Sequence, residues 1–193
     1  MLTRQLLGRF VQILTGWKVE GEKPDATHYV MIAAPHTSNW DLFFLLSLAW
    51  SKGVPVSWLG KHQIFRWPLA GIMKAFGGLP VRRDRRNDLV AQVAQLFAER
   101  DELVVVVSPE GTRRRVDFWK SGFYRIATAA DVPIYFGYLD FSRKTAGFGE
   151  FVKPTGDVAD DMDVIRGFYA DKVGKHPEWF GPVRLEEEGS AAE

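Results

Sequence analysis

Residues 103–107 read LVVVV and form the most strand-like segment of the chain. A run of apolar, mostly β-branched residues is typical of a strand that is buried on both faces. Residues 28–34 (HYVMIAA) have the same character, and the apolar spacing over residues 88–100 predicts an amphipathic helix between the two strands. Strands that alternate with helices in this way predict an α/β fold, with a mixed, mostly parallel sheet covered by helices.

The alternation continues from these strands to both ends of the chain. Four further strands are predicted, at residues 54–59, 78–81, 133–140 and, as an edge strand, 148–152. Four further helices are predicted, at residues 37–51, 62–76 with a break near Pro68, 121–131 and 161–173. The length of 193 residues suits one core, so we expect a single domain over residues 21–185 and a solvated tail over residues 186–193.

Residues 1–20 precede this domain. Apolar side chains recur at steps of three and four between Leu2 and Trp17, which predicts an amphipathic helix. The sequence leaves two alternatives for where this helix lies. Either it packs on the core, or it lies in a membrane interface with Trp17 and Lys18 at headgroup level. The chain has no apolar run of about 18 residues and its start does not resemble a signal peptide, so neither a spanning helix nor a secretory leader is expected.

Charge is spread unevenly along the chain. The net charge is +1, but residues 1–156 carry 21 basic and 14 acidic groups, whereas residues 157–193 carry 4 and 10. The basic part favours an anionic partner such as a phosphate group or an acidic lipid surface. The absence of cysteine excludes disulfides and thiolate chemistry, the histidine spacing indicates no metal site, and without a nucleic-acid-binding motif no nucleic acid is expected.

Three polar clusters follow predicted strands: residues 35–41 (PHTSNWD), 82–86 (RRDRR) and 108–115 (SPEGTRRR). Ligands of α/β sheets bind beyond the carboxyl ends of the strands, so this fold offers a way to bring the clusters together. In the first cluster, His36 has the chemistry of a general base, and Asp41 orients its ring if a helix begins near Ser38. The alternative is structural, because Ser38-x-x-Asp41 before an apolar run is typical of a capping box.

The other two clusters are rich in arginine. Glu110, Gly111 and the arginines after them suit an oxyanion or phosphate site, because glycine lets the backbone approach closely and arginine offers paired donors. Arg82 and Arg83 suit phosphate, a membrane surface or nucleic acid. For both clusters a solvated polar loop is the alternative.

Together the clusters resemble the motifs of one family, the glycerolipid acyltransferases of the lysophosphatidic acid acyltransferase type. The family's H-x-x-x-x-D motif corresponds to His36–Asp41, and its P-E-G-T-R motif to Pro109–Arg113. A glycine followed by an arginine at a strand end corresponds to residues 78–83, and V-P-I to residues 132–134. The order and separation of the motifs agree with the family over roughly residues 28–140.

The resemblance implies an O-acyltransferase that moves a fatty acyl group from acyl-CoA or acyl-carrier protein to a hydroxyl of a lysophospholipid such as 1-acylglycerol-3-phosphate, with no permanently bound cofactor. It implies that His36 deprotonates the hydroxyl and that Asp41 orients His36. The substrate-binding residues that it implies are Glu110, Gly111 and Thr112 at the acceptor and Arg82 or Arg83, with Arg113, at its phosphate.

Departures from the family pattern leave the acceptor open. Pro35 stands where many members carry Asn, and Ser108 replaces the usual Phe before P-E-G-T-R. Two alternatives therefore remain: an acyltransferase acting on a non-phosphate lipid or glycolipid, and a non-enzymatic protein that binds anionic lipid. The chain lacks cysteine and a leader, so a peripheral protein of phospholipid biosynthesis is expected on the cytoplasmic side of a membrane.

Overall fold

The computed structural model describes residues 2–82 and 86–189. Within these ranges the strands are β1 (Lys18–Glu20), β2 (His28–Ala34), β3 (Val56–Lys61), β4 (Gly78–Val81), β5 (Leu103–Val107), β6 (Ile134–Asp140) and β7 (Thr145–Val152). The α-helices are α1 (Leu2–Thr15), α2 (Trp40–Ser51), α3 (Ala70–Ala75), α4 (Arg86–Ala98), α5 (Gly122–Ala130) and α6 (Val158–Tyr169). Short 3₁₀ helices are formed by His62–Ile64, Pro177–Trp179 and Glu186–Gly189.

The strands form one sheet in the order β1-β7-β6-β2-β5-β3-β4. Neighbouring strands are parallel except β6 and β7, which are antiparallel. The two apolar runs are the central strands β2 and β5, which pair from His28 opposite Leu103 to Ile32 opposite Val107. The predicted mixed, mostly parallel sheet is confirmed, and the apolar runs lie at its centre because both faces of a strand are buried there.

Helices cover both faces of the sheet. On one face α4, α5 and α6 pack on the larger core through fully buried side chains, among them Val93, Phe123 and Ile165. On the other face α2 packs Leu46 and Ala49 against β2 and β5. The α/β prediction of a sheet covered by helices is therefore confirmed on both sides.

The predicted N-terminal helix, α1, lies on α2 through its glycine. Gly8 is buried, and a Cβ there would clash with the carbonyl oxygen of Ser47, so the two helices approach closely only because this residue has no side chain. Gln12 Nε2 also donates to Ser51 Oγ at 2.6 Å. The apolar stripe is left exposed, and its members are Leu2, Leu6, Leu7, Phe10, Ile13 and Leu14, each 50–80% exposed.

Trp17 does not have the position that the membrane alternative required. Its side chain is 6% exposed. The indole stacks on Phe44 with ring centroids 4.4 Å apart, and Phe141 meets it edge-on at 4.9 Å. Trp17 therefore anchors the end of α1 on the body, and the expectation that it lies at headgroup level is wrong.

The predicted edge strand at residues 148–152 is also corrected. β7 begins earlier, and β1 pairs with it in parallel, with Lys18 opposite Thr145, so that β1 and not β7 forms the edge. A strand of three residues is too short to show an alternating pattern, so β1 could not be predicted from the sequence.

None of the helices within residues 2–82 and 86–189 is long and apolar enough to cross a lipid bilayer. The tail predicted at residues 186–193 begins as a 3₁₀ helix, in which Glu188 forms an ion pair with Arg166. Residues 190–193 lie outside the described residues. The predicted division into an N-terminal helix (residues 1–20), a domain (residues 21–185) and a tail (residues 186–193) stays a prediction.

Candidate active site

The carboxyl ends of β2 and β5 bring two of the polar clusters together. These strands are adjacent and parallel, so residues 35–41 leave β2 beside residues 108–115, which leave β5. A hydrogen bond joins the two clusters directly, because the His36 backbone N–H donates to Glu110 Oε1 at 2.8 Å. The two loops therefore form one site at this edge of the sheet.

His36 and Asp41 form a hydrogen-bonded pair in this site. His36 Nδ1 lies 3.0 Å from Asp41 Oδ2. The Asp41 side chain is only 5% exposed, whereas that of His36 is 22% exposed. An ionised carboxylate only accepts, so Nδ1 carries the proton and Nε2 is the ring nitrogen that remains to act as a base. The pair has the arrangement of a general base whose tautomer is fixed by a carboxylate.

The start of α2 explains how Asp41 reaches the ring. Asp41 lies in the first turn, and its Oδ2 also accepts the Ser38 backbone N–H at 2.8 Å. Ser38 Oγ in turn accepts the Trp40 N–H at 3.2 Å. One carboxylate oxygen, Asp41 Oδ2, therefore bonds both the backbone before the helix, as in half of a capping box, and the His36 ring. Asn39, the N-cap itself, makes no side-chain cap bond.

Glu110 is buried beneath the loop that carries His36. Its side chain is 2% exposed, and the contact with the His36 backbone holds the loop that carries the imidazole. Burial raises the pKa of Glu110 from 4.5 to about 7, although the hydrogen bond from His36 acts in the opposite direction. Since the carboxyl contacts His36, we expect Glu110 to influence an acceptor through the position of His36.

The part of the third cluster after Glu110, up to Arg113, faces a cavity. Gly111, Thr112 and Arg113 line it together with Lys120. Gly111 has a φ of +63°, and a Cβ there would lie 2.6 Å from Lys120 Nζ, so glycine satisfies both the backbone conformation and the close approach. Lys120 was not found from the sequence, because a single lysine outside a motif carries no signal.

The second cluster is farther away. Arg82 follows β4, which is separated from β2 by two strands, a span of roughly 14 Å at the usual strand spacing. Its backbone N–H and carbonyl both bond the Gln92 side-chain amide. Arg82 is not among the residues that line the cavity. Arg83, the other predicted phosphate ligand, lies outside the described residues.

The cavity has a volume of about 810 Å³ and opens beside His36 and Asp41. Most of its wall is apolar, and one side of it is formed by α2 residues Leu42, Leu45, Leu46, Leu48 and Ala49. The opposite side is formed by residues of the sheet, namely Met31, Ala33, Val106, Gly137, Leu139, Ala146 and Phe148. A polar pair at the edge of an apolar cavity of this size is typical of a site for a small, largely apolar ligand.

A distant segment also fastens the loop after β2. Thr37 Oγ1 accepts the His176 backbone N–H at 3.1 Å. Lys175 Nζ lies 5.4 Å from the centre of the Trp40 ring, and a Cβ at Gly174 would lie 2.7 Å from Thr37 Oγ1. Residues 174–176 carry no sign of the site in the sequence, because contacts across so long a separation leave no local pattern.

Comparisons with known proteins gave similarities to a family model and to solved structures. A protein-family model described as Acyltransferase matches residues 16–136. Among solved structures, the fold is similar to that of the 1-acyl-sn-glycerophosphate (LPA) acyltransferase PlsC from Thermotoga maritima, with a TM-score of 0.57 and 18% sequence identity over 80% of this chain and 69% of that chain. Comparison with curated proteins gave no match.

Proposed function

The chain belongs to the acyltransferase family, and from this premise we propose that it transfers a fatty acyl group from acyl-CoA or acyl-carrier protein to a hydroxyl of a lysophospholipid such as 1-acylglycerol-3-phosphate. The observation that carries the proposal is the bond between His36 Nδ1 and Asp41 Oδ2, 3.0 Å long, beside a largely apolar cavity. A positioned base and an apolar cavity are what direct acyl transfer between two lipid substrates requires.

The reaction follows from this geometry in one addition and one elimination. His36 Nε2 accepts the proton of the acceptor hydroxyl as its oxygen attacks the thioester carbonyl carbon. Asp41 stabilises the imidazolium that forms, as the acid of a catalytic triad does. The tetrahedral intermediate then collapses, the carbon–sulfur bond breaks, and the imidazolium returns its proton to the leaving thiolate. No acyl-enzyme is formed, and backbone N–H groups of the two loops are the candidates to bind the oxyanion.

Arg113 and Lys120 support an acceptor with a phosphate group. Both line the cavity, and the two cations provide charge-assisted donors to an anion. We expect Arg113→Ala to lower kcat/KM for 1-acylglycerol-3-phosphate by roughly 10- to 100-fold and to leave a neutral monoacylglycerol nearly unaffected. Initial rates of thiol release with each acceptor measure both effects.

The matched control is Arg114→Ala, because Arg114 is exposed and is not among the residues that line the cavity. Thiol release that requires 1-acylglycerol-3-phosphate supports the proposed acceptor. Thiol release only with a neutral lipid or a glycolipid would mean that the acceptor belongs to that class and carries no phosphate. No release with either acyl-CoA or acyl-carrier protein would contradict acyl transfer and favour a protein that only binds anionic lipid.

The apolar part of the cavity is proposed to hold the acyl chain. Ala33 lines it from β2, on the sheet face that packs against α2. Ala33→Phe is expected to place a ring in the cavity and to shift the preference to shorter acyl donors, by roughly fourfold in kcat/KM for each methylene excluded. Rates with a series of acyl-CoA chain lengths measure the shift. Ala129→Phe, at an exposed position of α5, is the control, and an unchanged chain-length profile in Ala33→Phe would place the acyl chain elsewhere.

The exposed stripe of α1 supports attachment to a membrane. Six apolar side chains of this helix are exposed, and Arg4 and Arg9 flank the stripe that they form. A helix of this composition lies in the headgroup region with its apolar face inward. We therefore propose peripheral attachment through α1, on the cytoplasmic side, which suits a chain without cysteine.

A further inference from the structure

A second group of apolar side chains is exposed on the α2 side of the sheet, in residues 62–76, which we name the second apolar segment. Trp67 is 92% exposed, which is unusual for the largest apolar side chain. Its exposed companions in the segment are Ile64, Leu69, Ile72 and Phe76. Contiguous exposed apolar residues of this kind mark a surface that binds another apolar surface.

The second apolar segment is held firmly on the body. The Phe65 ring sits over Gly60 and Gly78, and a Cβ at either glycine would lie within 2.8 Å of the ring. At the other end of the segment, Trp58 Nε1 donates to the Phe76 carbonyl at 2.9 Å. Trp67 therefore projects from a fixed support, with Phe65 turned inward and Trp67 outward.

The segment is also joined to α1. Arg4 Nη2 donates to the Ala75 carbonyl at 2.9 Å, and the Arg4 guanidinium lies 5.8 Å from the centre of the Trp50 ring. Trp50 in turn packs against Phe76, with ring centroids 5.6 Å apart. The second apolar segment is thus in direct contact with α1 and with α2.

Along the sequence, the charges within and beside both apolar groups have one sign. Residues 42–83 contain six lysines and arginines and no acidic residue, and residues 1–19 contain three and none. Lys61, Arg66 and Lys74 are exposed within or beside the second apolar segment. A second copy of this chain would bring two basic rims together and be repelled, whereas an anionic lipid surface is attracted by each of these cations.

We propose that the second apolar segment is a membrane-docking element, which places Trp67 and its apolar companions at headgroup level of an anionic bilayer beside α1. Tryptophan is enriched at this depth because its ring is apolar while its N–H remains hydrated. The inference rests on the attachment through α1 and is independent of the acyl transfer reaction. Two separate contacts fix the tilt of the body on the membrane. A single helix would leave the body free to rotate about the helix axis.

A fluorescent label tests the proposal at a single position, because the chain contains no native cysteine. Leu69→Cys carries an environment-sensitive nitrobenzoxadiazole label in the segment and leaves Trp67 in place. Val164→Cys is the matched control, since Leu69 is 53% exposed and Val164, on α6 across the sheet, is 47% exposed. The vesicles contain equal parts of phosphatidylcholine and phosphatidylglycerol, or phosphatidylcholine alone.

We expect the Leu69 label to shift to the blue with the anionic vesicles, to shift much less with phosphatidylcholine, and the Val164 label to stay unchanged. Trp67→Ala is expected to weaken sedimentation with anionic vesicles by about tenfold. His36→Ala should bind vesicles like the wild type, so that loss of docking and loss of acyl transfer are distinguished.

Three results would overturn the proposal. One is a Leu69 label that remains in water while the protein sediments with the vesicles. Another is a protein that does not bind anionic vesicles at all. The third is a label that is buried without lipid, together with a dimer in light scattering, which would assign the surface to a second copy of the chain.

Discussion

Replacement of His36 by alanine is expected to lower kcat for acyl transfer by about 10²- to 10⁴-fold, the usual contribution of a positioned general base. Without the imidazole, only water remains to accept the proton of the acceptor hydroxyl. The KM values should change little, because Nε2 contacts the reacting proton and not the remainder of either substrate. Initial rates of thiol release at saturating donor and acceptor give kcat directly.

Two variants accompany this measurement. His28→Ala removes a histidine at the opposite end of β2 and should leave kcat unchanged. Asp41→Asn keeps the size of the side chain but removes the charge that stabilises the imidazolium, so a fall of similar order is expected. A folded His36→Ala protein that retains most of the wild-type rate would show that His36 is not the base.

Replacement of Glu110 by glutamine is expected to remove a large pH dependence of stability. Burial raises the pKa of Glu110 from 4.5 to about 7, so the folded protein holds this proton more tightly than the unfolded chain does. The stabilisation is full below the unfolded value and is lost as the pH rises through the folded value. Between pH 5 and pH 8 the wild type should therefore lose roughly 2–3 kcal/mol relative to Glu110→Gln.

Urea unfolding of both proteins at the two pH values measures this difference. Glutamine keeps an oxygen that accepts the His36 N–H, so the active-site loop is expected to persist in the variant. Glu110→Ala, by contrast, leaves that N–H buried without its acceptor and should destabilise the fold at both pH values. Parallel stability curves for wild type and Glu110→Gln would mean that the carboxyl is ionised across the whole range.

The strands that border the site could be predicted because their ends are marked in the sequence. β2, β4 and β5 have the predicted limits, since each apolar run stops at a polar cluster. The last helix was predicted to begin at residue 161 but begins at Val158, because the Asp157 side chain caps it. A cap of one residue is a weaker signal than apolar spacing, so the start of this helix was located less well than the limits of these three strands.

The pairing of His36 with Asp41 was predictable because its contacts are local, and the meeting of the first and third clusters because ligands bind beyond the carboxyl ends of parallel strands. His36 and Asp41 are five residues apart, so a loop followed by a first helical turn was sufficient to bring them together. The turn of Glu110 toward the His36 backbone, and the approach of Lys120 to Gly111, depend on how separate loops pack. Spacing in a sequence does not contain that information. The acceptor role of Glu110, which the family resemblance implies, stays a prediction beside the observed contact with His36.

The two bonds that fasten the loop after β2 have a consequence for when catalysis can begin. One partner, Glu110, is 74 positions from His36, and the other, His176, is 139 positions from Thr37. Contacts of such separation form late, because much of the chain must be ordered first. During synthesis on a ribosome, a nascent chain therefore presents its apolar surfaces before its histidine is in place, and a chain shortened before residue 176 would lack one fastening of its active-site loop.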